Sequence, residues 1–140
     1  MSVSKGAKKS KYAKVSPVMS IDKEYLEGIS VESGSEKFTI DPRIHILMNW
    51  DDIQVYLTRY RDNKESLPTV AEAEIICDNI DAIDKIMDQH TGTCLSRNKT
   101  WIFWTCDEGQ DNRTAMAFTV DGTFLQMPKR KDFVWFTVTR

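Results

Sequence analysis

The chain has 140 residues, 41% hydrophobic and 29% charged, a composition typical of one folded globular domain rather than a disordered chain. No apolar run approaches the roughly 20 residues that a membrane-spanning helix needs, so we predict no membrane contact. The first residues lack the apolar segment of a secretory signal, so we expect the protein to be made and folded in the cytoplasm.

The net charge of −2 conceals a basic N-terminal segment. Residues 1–20 contain five lysines and no acid, whereas the remaining 120 residues contain 14 basic and 21 acidic side chains. This Ser- and Lys-rich segment cannot bury enough apolar surface to offset its ordering entropy, so we predict an extended arm. We therefore divide the chain into a basic arm (1–20), a linker segment with a short helix and the first strand (21–42), and a folded domain (43–140).

The elements up to residue 61 are predicted from local patterns. The stretch IDKEYLEGIS indicates one or two helical turns that end before Gly28. The stretch VESGSEK that follows indicates a linker or turn. KFTI and RIHILM are typical of strands. NWDDIQVYLTRYRDN predicts a helix capped by Asn49 or Asp51. Its apolar face comprises Trp50, Ile53, Leu57 and Tyr60.

The stretch ESLPTVAEAEII predicts the start of a second helix. Thr69 and Glu72 have the spacing of a capping box, and Pro68 stiffens the backbone just before it. The helix is expected to run to about Ile80 or beyond. Its apolar stripe comprises Ala73, Ile76, Cys77 and Ile80.

After about residue 92 the patterns are typical of β-structure. TWIFWTC and TAMAFTV predict strands, and Asp121-Gly122 predicts a hairpin turn that leads into the strand TFLQM. PKRKD is a charged loop, and FVWFTVT predicts the last strand. The sequence therefore predicts an α+β fold in which two helices are followed by a twisted antiparallel sheet.

The order of these motifs resembles the C-type-lectin-like domains at the C-termini of bacterial collagen-like adhesins. Those domains are distant fold relatives of the formylglycine-generating, sulfatase-modifying enzymes. The resemblance covers residues 43–140 and implies a C-type-lectin-like fold. The chain departs from the family pattern at Glu65-Ser66, where the family has Trp-Arg, and at Cys106-Asp107, where it usually has Ser or Thr. The matching positions are Trp50, Leu67, Pro68, Thr69, Glu72, Trp104, Thr105, Phe118, Gly122, Val138 and Arg140.

A candidate ligand-binding surface lies around the acidic turn CDEGQDNR. Most of the four tryptophans are expected in the core, but Trp101 and Trp104 cannot share one face of a regular strand, so Trp101 is expected to be exposed. Lectin-like folds can bind Ca²⁺ through loop carboxylates, yet a solvated hairpin tip is the favoured interpretation, and we predict neither metal nor cofactor. The surface comprises Trp101, Asp107, Glu108, Asp111, Asn112 and Arg113.

The sequence predicts no catalytic residues. Cys77, Cys94 and Cys106 form no C-x-x-C motif and are expected as buried free thiols, with a disulfide between two of them as the alternative. His45 in an apolar strand and His90 at a helix end are expected to be structural. We therefore expect that the protein is not an enzyme.

The arm provides the candidate partner-binding residues. Its lysines could contact an acidic protein or nucleic acid phosphates, or have no partner. The resemblance implies a domain that acts outside cells, as most lectin-like domains of this family do. Since the sequence lacks a secretory signal, we favour a bacteriophage virion protein that is made in the host cytoplasm. It would be a capsid or tail decoration, or a host-adhesion module, with capsid or tail proteins as partners. The alternative is a cytoplasmic bacterial binding module whose arm contacts nucleic acid, and a homo-oligomer is compatible with both. The arm residues are Lys5, Lys8, Lys9, Lys11, Tyr12 and Lys14.

Overall fold

The computed structural model describes residues 12–61 and 64–140, which form an α+β fold with three helices and two mostly antiparallel sheets. This confirms the predicted class. The helices are α1 (Trp50–Tyr60), α2 (Val70–Asp78) and α3 (Ile80–Thr91). The strands are β1 (Lys14–Met19), β2 (Leu26–Ser33), β3 (Glu36–Ile40), β4 (His45–Asn49), β5 (Glu65–Ser66), β6 (Phe103–Glu108), β7 (Thr114–Phe118), β8 (Phe124–Pro128), β9 (Asp132–Trp135) and β10 (Val138–Thr139).

The first sheet has the order β1-β2-β3-β10-β5, and all its neighbours are antiparallel. The helix predicted between residues 21 and 28 is wrong, because β2 begins at Leu26 and pairs with both β1 and β3. The buried Ile29 and Val31 alternate with less buried residues at the period of a strand. A tight turn at Gly34, whose φ is 62°, then joins β2 to β3.

The predicted arm is only partly described. Its last part, Lys14–Met19, is strand β1 and not a free extension. Tyr12 and Lys14 are exposed, whereas Lys5, Lys8, Lys9 and Lys11 lie outside the described residues.

The second sheet has the order β4-β9-β6-β7-β8, and only the β6–β9 pair is parallel. The predicted hairpin at Asp121-Gly122 joins β7 to β8, with Gly122 at a φ of 91°. The predicted last strand is divided, since β9 belongs to the second sheet and β10 to the first. The backbone leaves one sheet for the other at Phe136 and Thr137, where the Thr137 carbonyl accepts a hydrogen bond from the Asp41 amide.

The structure confirms the caps predicted at the starts of α1 and α2. The Asn49 side chain caps α1 by accepting the Asp52 amide at 2.9 Å. The capping box of α2 is complete: Thr69 Oγ1 accepts the Glu72 amide, and Glu72 Oε1 accepts the Thr69 amide. The second helix, expected to run to about Ile80 or beyond, ends at Asp78, because Asn79 has non-helical angles (φ −119°, ψ 22°) and a separate helix begins at Ile80.

The inner strands of the second sheet are buried on both faces. Phe103, Phe118 and Val134 point into an inner core that also contains the first sheet, α2 and α3. Trp104 and Trp135, the next residues along β6 and β9, point into an outer core against α1. Adjacent strand residues point to opposite faces, so this arrangement explains why bulky neighbours in FWT and FVWF are both buried.

Candidate functional site

The predicted ligand-binding residues divide between three environments. Asp111, Asn112 and Arg113 line one polar depression. Trp101 lines a separate apolar groove. Asp107 belongs to neither, because its carboxylate is used inside the fold.

Asp107 ties the end of β6 to the start of α2. Its Oδ2 accepts the Val70 amide at 2.7 Å, and the Cys106 amide donates to the Pro68 carbonyl at 2.9 Å. A carboxylate at a helix N-terminus satisfies a free amide and interacts favourably with the helix dipole. Asp107 therefore helps to position α2, and its role as a ligand residue stays a prediction.

The depression that we name the polar cleft has a volume of about 490 Å³. It lies between the β6–β7 turn, the loop after β8 and the first turn of α1. Its cationic side chains are Arg113, Lys129 and Arg130, and its carboxylates are Asp51 and Asp111. The remaining lining residues are Asn112, Thr114 and Pro128.

A set of backbone hydrogen bonds holds the cleft in shape. The Arg113 carbonyl accepts the Lys129 amide at 2.9 Å, and the Lys129 carbonyl accepts the Trp50 amide at 3.0 Å. The Lys129 ammonium lies 4.4 Å from the centre of the Trp50 ring and donates to the Glu108 carboxylate. Glu108, also a predicted ligand residue, is thus paired with Lys129 at the rim.

The electrostatics of the polar cleft are mixed. Asp51, Asn112, Arg113 and Arg130 are exposed, and Asp111 accepts the Arg113 amide at 2.8 Å. The cleft therefore offers hydrogen-bond donors and acceptors over a fixed backbone floor, which suits a polar, uncharged ligand better than a highly charged one. Lys129 and Arg130 come from a distant segment, and their position in this cleft could not be read from the CDEGQDNR motif.

The second depression, which we name the apolar groove, has a volume of about 950 Å³. It opens between the N-terminal half of β4, the start of β2 and the C-terminal end of α3. Trp101 contributes to it but is half-buried, packed edge-to-face on Phe103 at 6.0 Å between ring centres. The expected exposure of Trp101 is thus only partial. The lining residues are Leu26, Pro42, Arg43, Ile44, His45, Ile46, Leu47, Thr91, Thr93, Trp101 and Val134.

His45 connects the groove to the outer core. Its ring stacks on Trp135 at 4.0 Å, and burial together with the nearby Arg61 and Arg43 lowers its pKa below the usual 6.5. Within the described part of the chain, His45 Nε2 and Trp135 Nε1 are buried without a hydrogen-bond partner. A neutral imidazole is the favoured state in this environment.

No protein-family model and no curated protein matches the chain. None of the helices in the described residues is long and apolar enough to cross a membrane. Across residues 12–61 and 64–140, no group of three or more His, Cys, Asp or Glu side chains could hold a metal ion.

The described part of the arm begins beside the end of α2, which contacts the turn of the β7–β8 hairpin. The Ala13 amide donates to Asn79 Oδ1 at 3.0 Å, and Cys77 Sγ, two residues before Asn79, lies 3.4 Å from the Thr119 carbonyl at the hairpin turn. The polar cleft lies at the other end, where Thr114 pairs with Pro128. Because each strand of the hairpin has five residues, the two ends are roughly 14 Å apart.

The cysteines are free thiols, each half-buried. Burial raises the pKa of Cys77 to about 12, and burial also raises the pKa of Cys106. Neither is therefore activated as a nucleophile.

Arg140, which the sequence singles out only as a position in the resemblance, has a structural role. Its guanidinium bonds both carboxylate oxygens of Glu72 at 2.7 Å, Ser66 Oγ at 2.6 Å and the Leu67 carbonyl at 3.2 Å. Glu72 is buried, so the capping box and this ion pair form one structure at the start of α2.

Proposed function

We propose that the chain is a non-enzymatic binding module of a larger assembly, anchored through its N-terminal arm and engaging a ligand through the polar cleft. The observation that carries this proposal is that Ala13, in the described part of the arm, bonds to Asn79 on the side of the hairpin turn, whereas the polar cleft lies at the other end of the β7–β8 hairpin. A partner held at the Ala13 end leaves the Thr114 end open. Such an arrangement suits a module that joins two binding events.

The fold belongs, in this proposal, to the C-type-lectin-like class. Its support is that each matching motif lies on an element of the expected type and order. Trp50 begins α1, the Leu-Pro-Thr stretch leads into α2, Trp104 is in β6, and the Asp121-Gly122 turn joins two strands. The assembly we propose is a bacteriophage virion, with capsid or tail proteins as the anchoring partners. The proposal of a virion rests on analogy with lectin-like domains that act outside cells.

Limited proteolysis tests the anchor. In the isolated protein, trypsin should cut at Lys5, Lys8, Lys9 and Lys11 and spare the strand that begins at Lys14. In assembled particles, docking should slow those cuts relative to cuts at exposed Lys99, which serves as the internal reference. Equal rates at the arm in both states would contradict the anchoring role.

Nucleic-acid contact through the same lysines is the alternative outcome. Binding of the isolated protein to a short DNA duplex would then fall steeply with salt and disappear when residues 1–11 are deleted. Such a result, without arm protection in particles, would replace protein docking with nucleic-acid binding.

A glycan array tests the polar cleft, because carbohydrates present both hydrogen-bond donors and acceptors. The paired variant Arg113→Ala, Arg130→Ala removes two exposed donors from the cleft and should abolish any binding seen with the unmodified protein. The matched control is Lys99→Ala, an exposed cation outside the cleft. Signals that survive the cleft variant, or no signal on any glycan, would argue against a carbohydrate ligand there.

A further inference from the structure

The edges of the two sheets differ in how they are protected. Among the described residues, the edge strands are β1 and β5 in the first sheet and β4 and β8 in the second. Strand β1 contains Pro17 and a shift of register, β4 contains a bulge, and β5 has only two residues. Proline, bulges and shortness each discourage another strand from pairing with an edge. Strand β8 lacks all three over residues 124–127, which carry no charge and pair with β7 in regular register.

The free side of β8 presents backbone groups at alternate residues. The Lys129 amide, just after the strand, donates to the Arg113 carbonyl at 2.9 Å, so the backbone of residue 129 faces β7. Backbone groups alternate in direction along an antiparallel strand, so those of the odd-numbered residues of β8 also face β7. The N–H and C=O groups of Phe124 and Gln126 therefore point away from β7, towards the free edge.

These outward groups have the arrangement that an extended polypeptide recognises. No strand within residues 12–61 and 64–140 pairs with this side of β8. Phe124 and Gln126 together offer two donors and two acceptors, with the two residues roughly 7 Å apart along the strand. An extended peptide carries N–H and C=O groups at the same spacing, which is why such peptides add to exposed sheet edges. The backbone of β8 thus favours a peptide strand as the occupant of its edge.

The side chains of β8 indicate the composition of that strand. Leu125 and Met127 are half-buried on the face of the outer core, where Met127 packs. Phe124 is half-buried on the other face, where its ring stacks on Phe118 at 6.0 Å between ring centres. Apolar residues opposite Leu125 and beside Phe124 would cover the exposed parts of these side chains.

The turn after β8 adds positive charge at one end of the edge. Arg130 and Lys131 are exposed, and within the described chain neither side chain forms a hydrogen bond or an ion pair. Asp132 follows them and is also exposed, so the two cations exceed the single acid. This charge favours an acidic residue at that end of the added strand and disfavours a lysine-rich segment such as residues 1–11 of this chain.

We propose that the free edge of β8 is a docking site for an extended segment of a partner protein, which adds to the second sheet as a sixth strand. The segment has apolar side chains opposite Leu125 and beside Phe124, and an acidic residue near Lys131. The outward backbone groups of Phe124 and Gln126 belong neither to the arm nor to the polar cleft, so this inference does not rest on the proposed function.

Hydrogen exchange of the unbound full chain tests whether the edge is free. The amides of Leu125 and Met127 face β7 and should exchange roughly 100-fold more slowly than those of Phe124 and Gln126, because hydrogen-bonded strand amides exchange only on opening. Equal protection of all four amides would show that the edge is already paired and would overturn the proposal.

A synthetic peptide tests docking. The probe is Glu-Glu-Thr-Val-Phe-Val-Thr-Glu-Glu, capped at both ends, which has an apolar centre and acids at either end. It should bind with a Kd below about 1 mM and slow exchange at the Phe124 and Gln126 amides. The matched peptide with lysine in place of each glutamate should bind more weakly. No binding of the acidic peptide at that concentration would overturn the proposal.

Methylation of the peptide backbone distinguishes strand addition from other binding. Methylating the nitrogens of both valines removes the donors of one edge of the peptide, whereas methylating the phenylalanine nitrogen removes a donor from its opposite edge. One of these two peptides should lose binding and the other should keep it, because only one edge of an added strand meets β8. Equal effects of the two changes would contradict strand addition.

A pair of variants tests the position of the contact. Gln126→Pro removes one outward N–H and should weaken binding of the acidic peptide by about tenfold. The matched control is Gln126→Ala, which loses the same side-chain hydrogen bonds to Gln110 and Thr114 but keeps the backbone N–H and should bind normally. Equal binding by the two variants would place the contact away from β8. Thermal melting checks folding, and the methylated peptides decide if Gln126→Pro does not fold.

Charge and self-association complete the test. Lys131→Glu should weaken binding of the acidic peptide by roughly two- to fivefold, whereas Lys99→Glu, at another exposed lysine, should not. Equal effects of the two substitutions would contradict the acidic residue proposed near Lys131. Sedimentation velocity detects pairing of two β8 strands, and a dimer that Gln126→Pro disrupts would assign the edge to a second copy and overturn the proposal of a different partner.

Discussion

Arg140 shows how one side chain can join distant parts of the chain. Its guanidinium holds Glu72, whose other hydrogen bond closes the capping box with Thr69. The same guanidinium also binds the Leu67 carbonyl, so the segment before α2 and its first turn share one anchor. The start of α2 therefore depends on a residue at the far end of the sequence.

Replacing Arg140 should destabilise the protein. We expect Arg140→Ala to lower the free energy of unfolding by about 2 kcal/mol, because Glu72 is left buried without its partner while the partly exposed arginine limits the loss. Urea denaturation measures this change. Thr69→Ala, which removes only the cap, should cost about 1 kcal/mol. An Arg140→Ala variant with unchanged stability would mean that the ion pair is not formed in solution.

Cys77 should be unreactive in the folded protein. Its pKa of about 12 leaves a negligible thiolate fraction near neutral pH, and the thiolate is the reactive form. In a thiol titration with an aromatic disulfide, Cys77→Ser should leave the trace of the native protein unchanged. After unfolding, the same variant should show one thiol fewer than the three of the unmodified chain. If the native protein reacted rapidly and the Cys77→Ser variant did not, the burial of this thiol would be contradicted.

At the scale of elements, strand β2 depends on a close approach that only glycine allows. A Cβ at Gly28 would lie 2.6 Å from Thr39 Cγ2 and 3.3 Å from the Ile40 carbonyl oxygen. Gly28→Ala should therefore push β3 away from β2 and lower the free energy of unfolding by about 1–3 kcal/mol. Chemical denaturation measures this loss.

A second substitution identifies the cause of that loss. Thr39→Ser removes the methyl group that the new Cβ would meet, so adding it to Gly28→Ala should recover part of the stability. Ser30→Ala on the same strand should have little effect. No recovery in the double variant would show that the Thr39 contact is not responsible.

Elements with local signals could be predicted from sequence. Asn49 before α1, the Thr69 and Glu72 pair before α2, and Asp121-Gly122 between β7 and β8 each act within a few residues. The short helix predicted before Gly28 is wrong because so short an amphipathic stretch does not distinguish a helical turn from the start of a strand such as β2. Its true state is decided by pairing with β1 and β3, and long-range pairing overrides local preference.

In the candidate sites too, residues that are close in the sequence could be predicted together, whereas residues brought together by long-range pairing could not. Asp111, Asn112 and Arg113 were predicted together because one turn contains them. Lys129 and Arg130 reach the same cleft through the pairing of β8 with β7, which a sequence pattern does not reveal. The apolar groove combines β2, β4, α3 and the segment before β6, so Trp101 could be suspected but its neighbours could not.

For the molecule as a whole, His45 should make stability depend on pH. Burial first, and then Arg61, lower its pKa in the folded state; Asp41 opposes them, Arg43 adds to the lowering, and Glu65 also raises the pKa, with a lowered pKa as the net result. The unfolded chain therefore binds a proton at a higher pH than the folded protein does. Stability should be complete above about pH 6.5 and fall as the pH decreases from there towards the lower folded pKa.

Melting temperatures recorded between about pH 7.5 and 5.5, around the usual pKa of histidine, measure this effect. His45→Gln should flatten the pH dependence, whereas His90→Gln, at an exposed position, should leave it in place. A pH dependence that follows His90 and not His45 would contradict the assignment.

The passage of the chain from β9 to β10 has a consequence for synthesis on the ribosome. Strand β10 lies between β3 and β5 in the first sheet, yet it is translated long after both. Until residues 138–139 have emerged, the nascent chain must keep β3 without one of its neighbours and Glu72 without Arg140. We expect the last steps of folding to follow the emergence of residues 138–139, slowed by the long sequence separation between Ile40 and Val138. A prematurely terminated chain would then be cleared by proteases as an unfolded product.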